Sequence, residues 1–168
     1  SIDTVDINYT ASDANLAYCW WSNDSRQNAT IDCGTNITTV IWSEGIHNIS
    51  VWANDSAGNM NGTYVTFRVD TTKPNINITR PINNTNWSID TVDINYTASD
   101  ANLAYCWWSN DSRQNATIAC GTNITTVIWS EGIHNISVWA NDTAGNMNGT
   151  YVTFEIDTIL PDISIQYP

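Results

Sequence analysis

Basic residues are nearly missing from this chain of 168 residues: five Lys and Arg stand against 17 Asp and Glu, a formal charge of −12. That surface repels phosphate backbones and anionic lipid, so neither nucleic acid nor an acidic membrane is an expected partner. Leucine is almost absent, at Leu16, Leu103 and Leu160 only, and no stretch carries helical period. No apolar run approaches the roughly 20 residues that span a bilayer. The chain opens at Ser1 without a basic-then-apolar leader, and reads as a processed or excerpted piece. There is no CxxC and no D-x-D-x-[DN]-G run, which argues against metal-ribbon and calcium-loop motifs.

What is present is polar but not charged: 23 Asn, and 36 Ser plus Thr. A hydrophobic share of 42%, with nine Trp and seven Tyr, suffices for two small cores and argues against disorder. The chain is one module written twice. Residues 1–81 realign on 88–168 with 71 of 81 positions identical, and a fixed period of this kind decides architecture before any local reading. Only Asp32/Ala119 and Ser56/Thr143 differ in the first 67 aligned positions; the other eight differences crowd into the last 14. The module body is copied faithfully and the segment leaving it is not.

Strand formers alternate with polar residues between turn signals spaced 8–12 residues apart, the all-β pattern. In the complete copy the alternation predicts strands near 75–79, 92–96, 103–108, 116–120, 124–129, 132–140 and 150–156. Turns fall at 81–85, 97–102, 109–115 and 141–146, with Gly145 supplying a positive φ. Val92, Ile94 and Tyr96 should face inward, as should His134, Ile136, Val138 and Ala140. Only one of Trp107 and Trp108 can enter the core, because neighbours on a strand point to opposite faces. The expected fold is all-β, two tandem β-sandwich domains of about seven strands each.

The residues Gly45-x-His47-x-Ile49-x-Val51-x-Ala53-Asn54-Asp55-x-Ala57-Gly58-Asn59, followed by Val65-x-Phe67-x-Val69-Asp70-Thr71-x-x-Pro74, resemble the Ig-like repeats of prokaryotic surface proteins. The resemblance extends to fibronectin type III and bacterial Ig-like modules and covers essentially the whole chain. Versions rich in Trp and glycan acceptors, with a Cys pair on the third strand, resemble archaeal ones. It implies an extracellular stalk, adhesin, surface-layer or filament role without choosing among them.

Cys19 and Cys33, like Cys106 and Cys120, lie 14 apart in each copy. That spacing suits one disulfide per domain across a hairpin, formed in an oxidising compartment. Seventeen N-x-[ST] acceptor motifs occur, against roughly five expected by chance from this composition. N-linked glycans are therefore expected, with candidate carriers Asn8, Asn23, Asn28, Asn54, Asn61, Asn83, Asn86, Asn95, Asn110, Asn115, Asn141 and Asn148. Buried backbone near Asn36 and Asn123 is expected to exclude a glycan there. His47 and His134 read as corner packing residues. Trp20-Trp21 and Trp107-Trp108 read as one core and one covered ring, with sugar stacking the sharper alternative. Asp13, Asp55, Asp70, Asp100, Asp142 and Asp157 lie at loop ends and the linker, where related arrays can hold Ca²⁺. They are scattered, so the expectation is no cofactor and no metal site, with calcium the alternative.

Residues 1–73 form a first domain that lacks its own first strand. Residues 74–160 form a complete second domain, and 161–168 a spare first strand, with Asp162, Ile163, Ser164, Ile165, Gln166 and Tyr167 its donor residues. The functional expectation is a non-enzymatic subunit of an extracellular glycosylated filament or surface array. Its partner would be itself, head to tail, by strand donation. Two alternatives stand: an adhesin or carbohydrate-binding repeat of a larger surface protein, and a piece cut from a longer array in which the chain simply continues.

Overall fold

The computed structural model describes residues 3–24, 28–111 and 115–167. They divide into two compact units, Ser1–Thr71 and Thr72–Pro168, close to the boundary expected from the repeat. The first unit carries β1 (Leu16–Asn23), β2 (Ala29–Ile31), β3 (Gly45–Asp55) and β4 (Met60–Val69). The second carries β5 (Asn75–Arg80), β6 (Thr85–Trp87), β7 (Asn95–Ser99), β8 (Leu103–Asn110), β9 (Ala116–Ile118), β10 (Gly132–Asp142) and β11 (Met147–Ile156). Among the described residues there is no helix, and none could cross a membrane as one.

The second unit is a two-layer sandwich. Its larger sheet runs β6-β11-β10-β8-β9 and its smaller one pairs β5 with β7. Alternation along β10 buries His134, Ile136, Val138 and Ala140 and turns Ile133, Asn135, Ser137 and Trp139 away from the core. Facing them across the core are Ile76 and Ile78 of β5, and Val92, Ile94 and Tyr96. Trp108 packs against this core; Trp107 stays on the outer face, beside Trp139. The β10–β11 hairpin turns at Gly145, whose φ of 88° is the left-handed conformation that the turn needs.

Three local expectations need correction. Residues 124–129 do not form a strand. They make a single bridge, Ile94 to Ile124, because Trp129 is drawn inward and its indole N–H donates to Val92 O at 3.0 Å. The strand expected at 92–96 is paired over 95–99 instead. The turn expected at 81–85 ends one residue early: Thr85 opens β6, a strand not foreseen, which lies parallel to the end of β11. Of the turn expected over 109–115, residues 112–114 lie outside the described residues.

The larger correction concerns strand number. Among the described residues the second unit has seven strands, the number expected, and the first has four, in the order β2-β1-β3-β4. These four match β8 to β11. Among its described residues the first unit has no counterpart of β5 or β6. The counterpart of β7, residues 8–12, is irregular because a strand needs a neighbour to pair with.

Both cysteine pairs are joined, Cys19 to Cys33 and Cys106 to Cys120. Each bond ties the strand next to the short edge strand to the segment leaving that edge strand. Closing a 14-residue loop is worth about 3 kcal/mol. Replacing Cys106 and Cys120 together by Ser should lower the unfolding free energy of the second unit by that amount in urea titrations. An unchanged midpoint would show that the bond constrains nothing in the unfolded chain.

Candidate functional site

Two units with one sequence and different neighbours make an internal comparison. In the second, β11 is flanked by β6 on its open edge, and β5 pairs with β7 in register: Asn75 with Ser99, Ile76 with Ala98, Asn77 with Thr97, Ile78 with Tyr96. Asn148 Nδ2 donates to Pro74 O at 2.9 Å, which holds the entry of β5. Asn83 Oδ1 accepts from Thr153 N at 2.8 Å, which holds the approach to β6.

In the first unit these partners are missing and the core opens. Val152 is 7% exposed and its twin Val65 is 47%. Phe154 is buried while Phe67 is half-buried, and Tyr96 is buried while Tyr9 is half-buried. An open cavity of about 450 Å³ lies between residues 9–13 and the hairpin of β3 and β4, lined among others by Tyr9, Ala11, Leu16, Val51, Ala53 and Asn61. Asn61 is the twin of Asn148, so this groove matches the place where Pro74 and the start of β5 sit in the second unit. The backbone on both sides is unpaired, at residues 8–12 and along the outer edge of β4. Such edges invite another strand.

The expected donor residues Asp162, Ile163, Ser164, Ile165, Gln166 and Tyr167 are all exposed and in no strand. Thr158 fixes where this tail starts: its backbone N–H and its hydroxyl both donate to the Glu131 carboxylate. Beyond it Ile163 is 85% and Ile165 88% exposed, whereas their twins Ile76 and Ile78 are each 8% exposed.

What keeps the first unit folded is a cluster present in both. His47 Nε2 lies 2.7 Å from Ser43 O and its Nδ1 2.9 Å from Asp24 Oδ2. Both nitrogens face oxygen acceptors. The ring packs against Trp42 and Phe67, and Trp42 meets Phe67 edge-on at 4.8 Å. His134, Asp111, Ser130, Trp129 and Phe154 repeat this arrangement. The histidines are thus packing and anchoring residues, as expected. Their aspartate partners were not foreseen; each has a positive φ, 46° at Asp24 and 47° at Asp111, a conformation Asp tolerates better than most residues.

The loop aspartates have internal work. Asp13 and Asp100 each accept from the backbone N–H two residues on, at 2.8 and 2.7 Å. Asp157 accepts from Ile159 N. Asp55 and Asp142 organise the hairpin turns by accepting from both the backbone and the side chain of Asn59 and Asn146. Those bonds hold the Asp55 carboxyl below its ordinary value, the Asn59 side chain contributing most. At Asp142 burial pushes upward, and the bonds from Asn146, Ala144 and Gly145 outweigh it.

The acceptor motifs sort by geometry. Asn8, Asn28, Asn83, Asn86 and Asn115 are exposed, and Asn23, Asn54, Asn95, Asn110 and Asn141 partly so. Asn148 is exposed, and its Nδ2, the atom a glycan would take, donates to Pro74 O. Asn61 is exposed. Asn36 and Asn123 are exposed, so burial does not exclude them.

A family model for glucodextranase domain B matches residues 74–158, the body of the second unit. The chain belongs to the glucodextranase domain B family. Residues 1–71 realign on residues 88–158 of that match. Among solved structures, the fibronectin(III)-like modules of Clostridium thermocellum CbhA are 19% identical, with 99% of this chain and 93% of that chain covered and a TM-score of 0.46. No curated protein matches the chain.

Because both hairpin carboxyls sit below their unfolded value near 3.9, each contributes stability above that pH and loses it as pH falls through the lower folded value. Resistance to urea should therefore fall below about pH 4. A double variant Asp55→Asn, Asp142→Asn should be less stable at pH 7 and show a flatter acid limb. Parallel acid limbs for the two proteins would remove these carboxylates as the cause.

Proposed function

We propose that this chain is a non-enzymatic structural subunit of an extracellular, N-glycosylated filament or array. Copies join when the tail of one, residues 161–167, enters the open groove in the first unit of the next. The observation that carries the reading is the exposure of Val65 against that of Val152, in one sequence with and without a neighbouring strand. The β5–β7 register gives the docking register: Asp162 opposite Ser12, Ile163 opposite Ala11, Ser164 opposite Thr10 and Ile165 opposite Tyr9. Burying two isoleucines is worth roughly 1.5–3 kcal/mol each. A contact of this kind is heterologous and need not close, so it propagates as an open chain of subunits.

The tail's divergence supports the same reading. Asn77-Ile78-Thr79 is an acceptor motif and its twin Ser164-Ile165-Gln166 is not; a glycan would obstruct a strand laid between subunits. Two disulfides and the acidic, Asn-rich surface support an extracellular setting. An adhesive or carbohydrate-binding module remains the second reading, favoured by the exposed aromatic face of each unit.

A peptide of residues 161–167, added to a chain lacking residues 162–168, should raise the thermal midpoint of the first unit and protect residues 8–12 from hydrogen exchange. It should leave the outer edge of β4 labile, because the tail carries a β5 equivalent and no β6 equivalent. The full chain with Ile163→Asp and Ile165→Asp should stay monomeric in light scattering while the parent polymerises. Polymerisation by the variant, or native protein in which a covalently preceding strand already fills the groove, would overturn the proposal.

A further inference from the structure

Alternation puts Trp52 and Asn54 on one outward face of β3, about 7 Å apart along the strand. Across the ladder Trp52 pairs with Trp20 and Asn54 with Tyr18. Residues paired in this way project to the same side, so three aromatic rings and one asparagine form the corners of a rectangle. The Trp20 and Trp52 rings lie within 15° of parallel, with centroids 6.3 Å apart. On the far side of Trp52 the fourth strand offers Gly62, and the indole occupies the space above it: a Cβ there would lie 2.2 Å from Trp52 Cδ1. Tyr18 is 69% exposed. Asn141, Trp139, Tyr105, Trp107 and Gly149 repeat the arrangement, with the rings again 6.3 Å apart and within 14° of parallel.

The asparagine is held in a particular way. Asn54 Oδ1 accepts from Tyr18 N at 3.1 Å, and Asn141 Oδ1 from Tyr105 N at 3.1 Å. Among the described residues neither Nδ2 makes a hydrogen bond. Asn48, Asn135 and Asn148 differ, their Nδ2 atoms being spent on Thr66, Thr153 and Pro74. Asn54-Asp55-Ser56 and Asn141-Asp142-Thr143 complete acceptor motifs, with Ser56 and Thr143 exposed. In the second unit a surface depression opens at this corner, lined by Ala104, Tyr105, Asn141, Asp142, Thr143 and Gly145.

We propose that Asn54 and Asn141 carry N-linked glycans whose first sugars lie against the Trp52–Trp20 and Trp139–Trp107 rings, so that each glycan is part of its unit's fold. The anchored carbonyl aims the free nitrogen, and the ring two residues earlier supplies the surface. A pyranose presents one face of C–H groups. Laying it on an indole removes apolar area from water and gains dispersion contact, while the hydroxyl edges stay solvated. The negative face of the ring also attracts polarised C–H groups. The inference rests on the glycoprotein reading above and is independent of strand donation.

The test uses the full chain secreted from a host that N-glycosylates. Glycopeptide mapping should find Asn54 and Asn141 occupied, and NMR should show ring protons of the attached sugar shifted upfield by the indoles. Ser56→Ala with Thr143→Ala removes both acceptor motifs and leaves the asparagine bonds intact. It should lower the thermal midpoint by about 4 °C, and should lower it by nothing when Trp52→Leu and Trp139→Leu are already present. If the leucine variant fails to fold, the sugar shifts in the parent decide. Occupied sites with unshifted sugar protons and no loss of midpoint overturn the proposal. Glycans elsewhere with Asn54 and Asn141 bare overturn it alone, whereas a chain bare at every motif overturns the glycoprotein reading with it.

Discussion

The pairing of β5 with β7 closes the sandwich. Two isoleucines, Ile76 and Ile78, cover the core, and through them Val92, Ile94, Tyr96, Val152 and Phe154 become dry together. Neither sheet can bury its apolar face alone. The strand acts less through its own six residues than through what it lets the others bury. Its absence in the first unit leaves a β4 whose outward and inward residues are nearly all exposed.

The first unit is not thereby unfolded. Its disulfide, its hairpin turns and the ring cluster of Trp42, His47 and Phe67 match those of the second unit almost distance for distance. The ring cluster lies at the open end of the β3–β4 hairpin, whereas the groove lies at its turn. In the proposed strand donation, residues 8–12 would gain their pairing only as the tail enters, since a strand needs a neighbour to pair with.

The outer faces follow a different rule from the core. On each large sheet the wet side is aromatic and amide-rich, with few charges, and a glycine makes room for an indole in the middle of a strand. Glycine in a strand interior weakens it unless something approaches closely. Here what approaches is Trp52 or Trp139. That face persists in both copies while the tail diverges, so the two surfaces answer to different demands.

Much of this was legible in the residues. The period of 87, the alternation along β10, the inward set Val92, Ile94 and Tyr96, the positive φ at Gly145 and both disulfides followed from local pattern and spacing, which depend on near neighbours only. That residues 1–71 hold no counterpart of β5 was also readable from the phase of the repeat. The sequence by itself could not show that residues 8–12 would lose strand form, that 124–129 would give up pairing to bury Trp129, that 85–87 would run parallel to β11, or that Asn148 Nδ2 would be taken by Pro74. Residues 8–12 and 95–99 are the same five amino acids, one irregular and one a strand. Hydrogen bonds between strands belong to the pair and not to either sequence, so only the tertiary structure decided them.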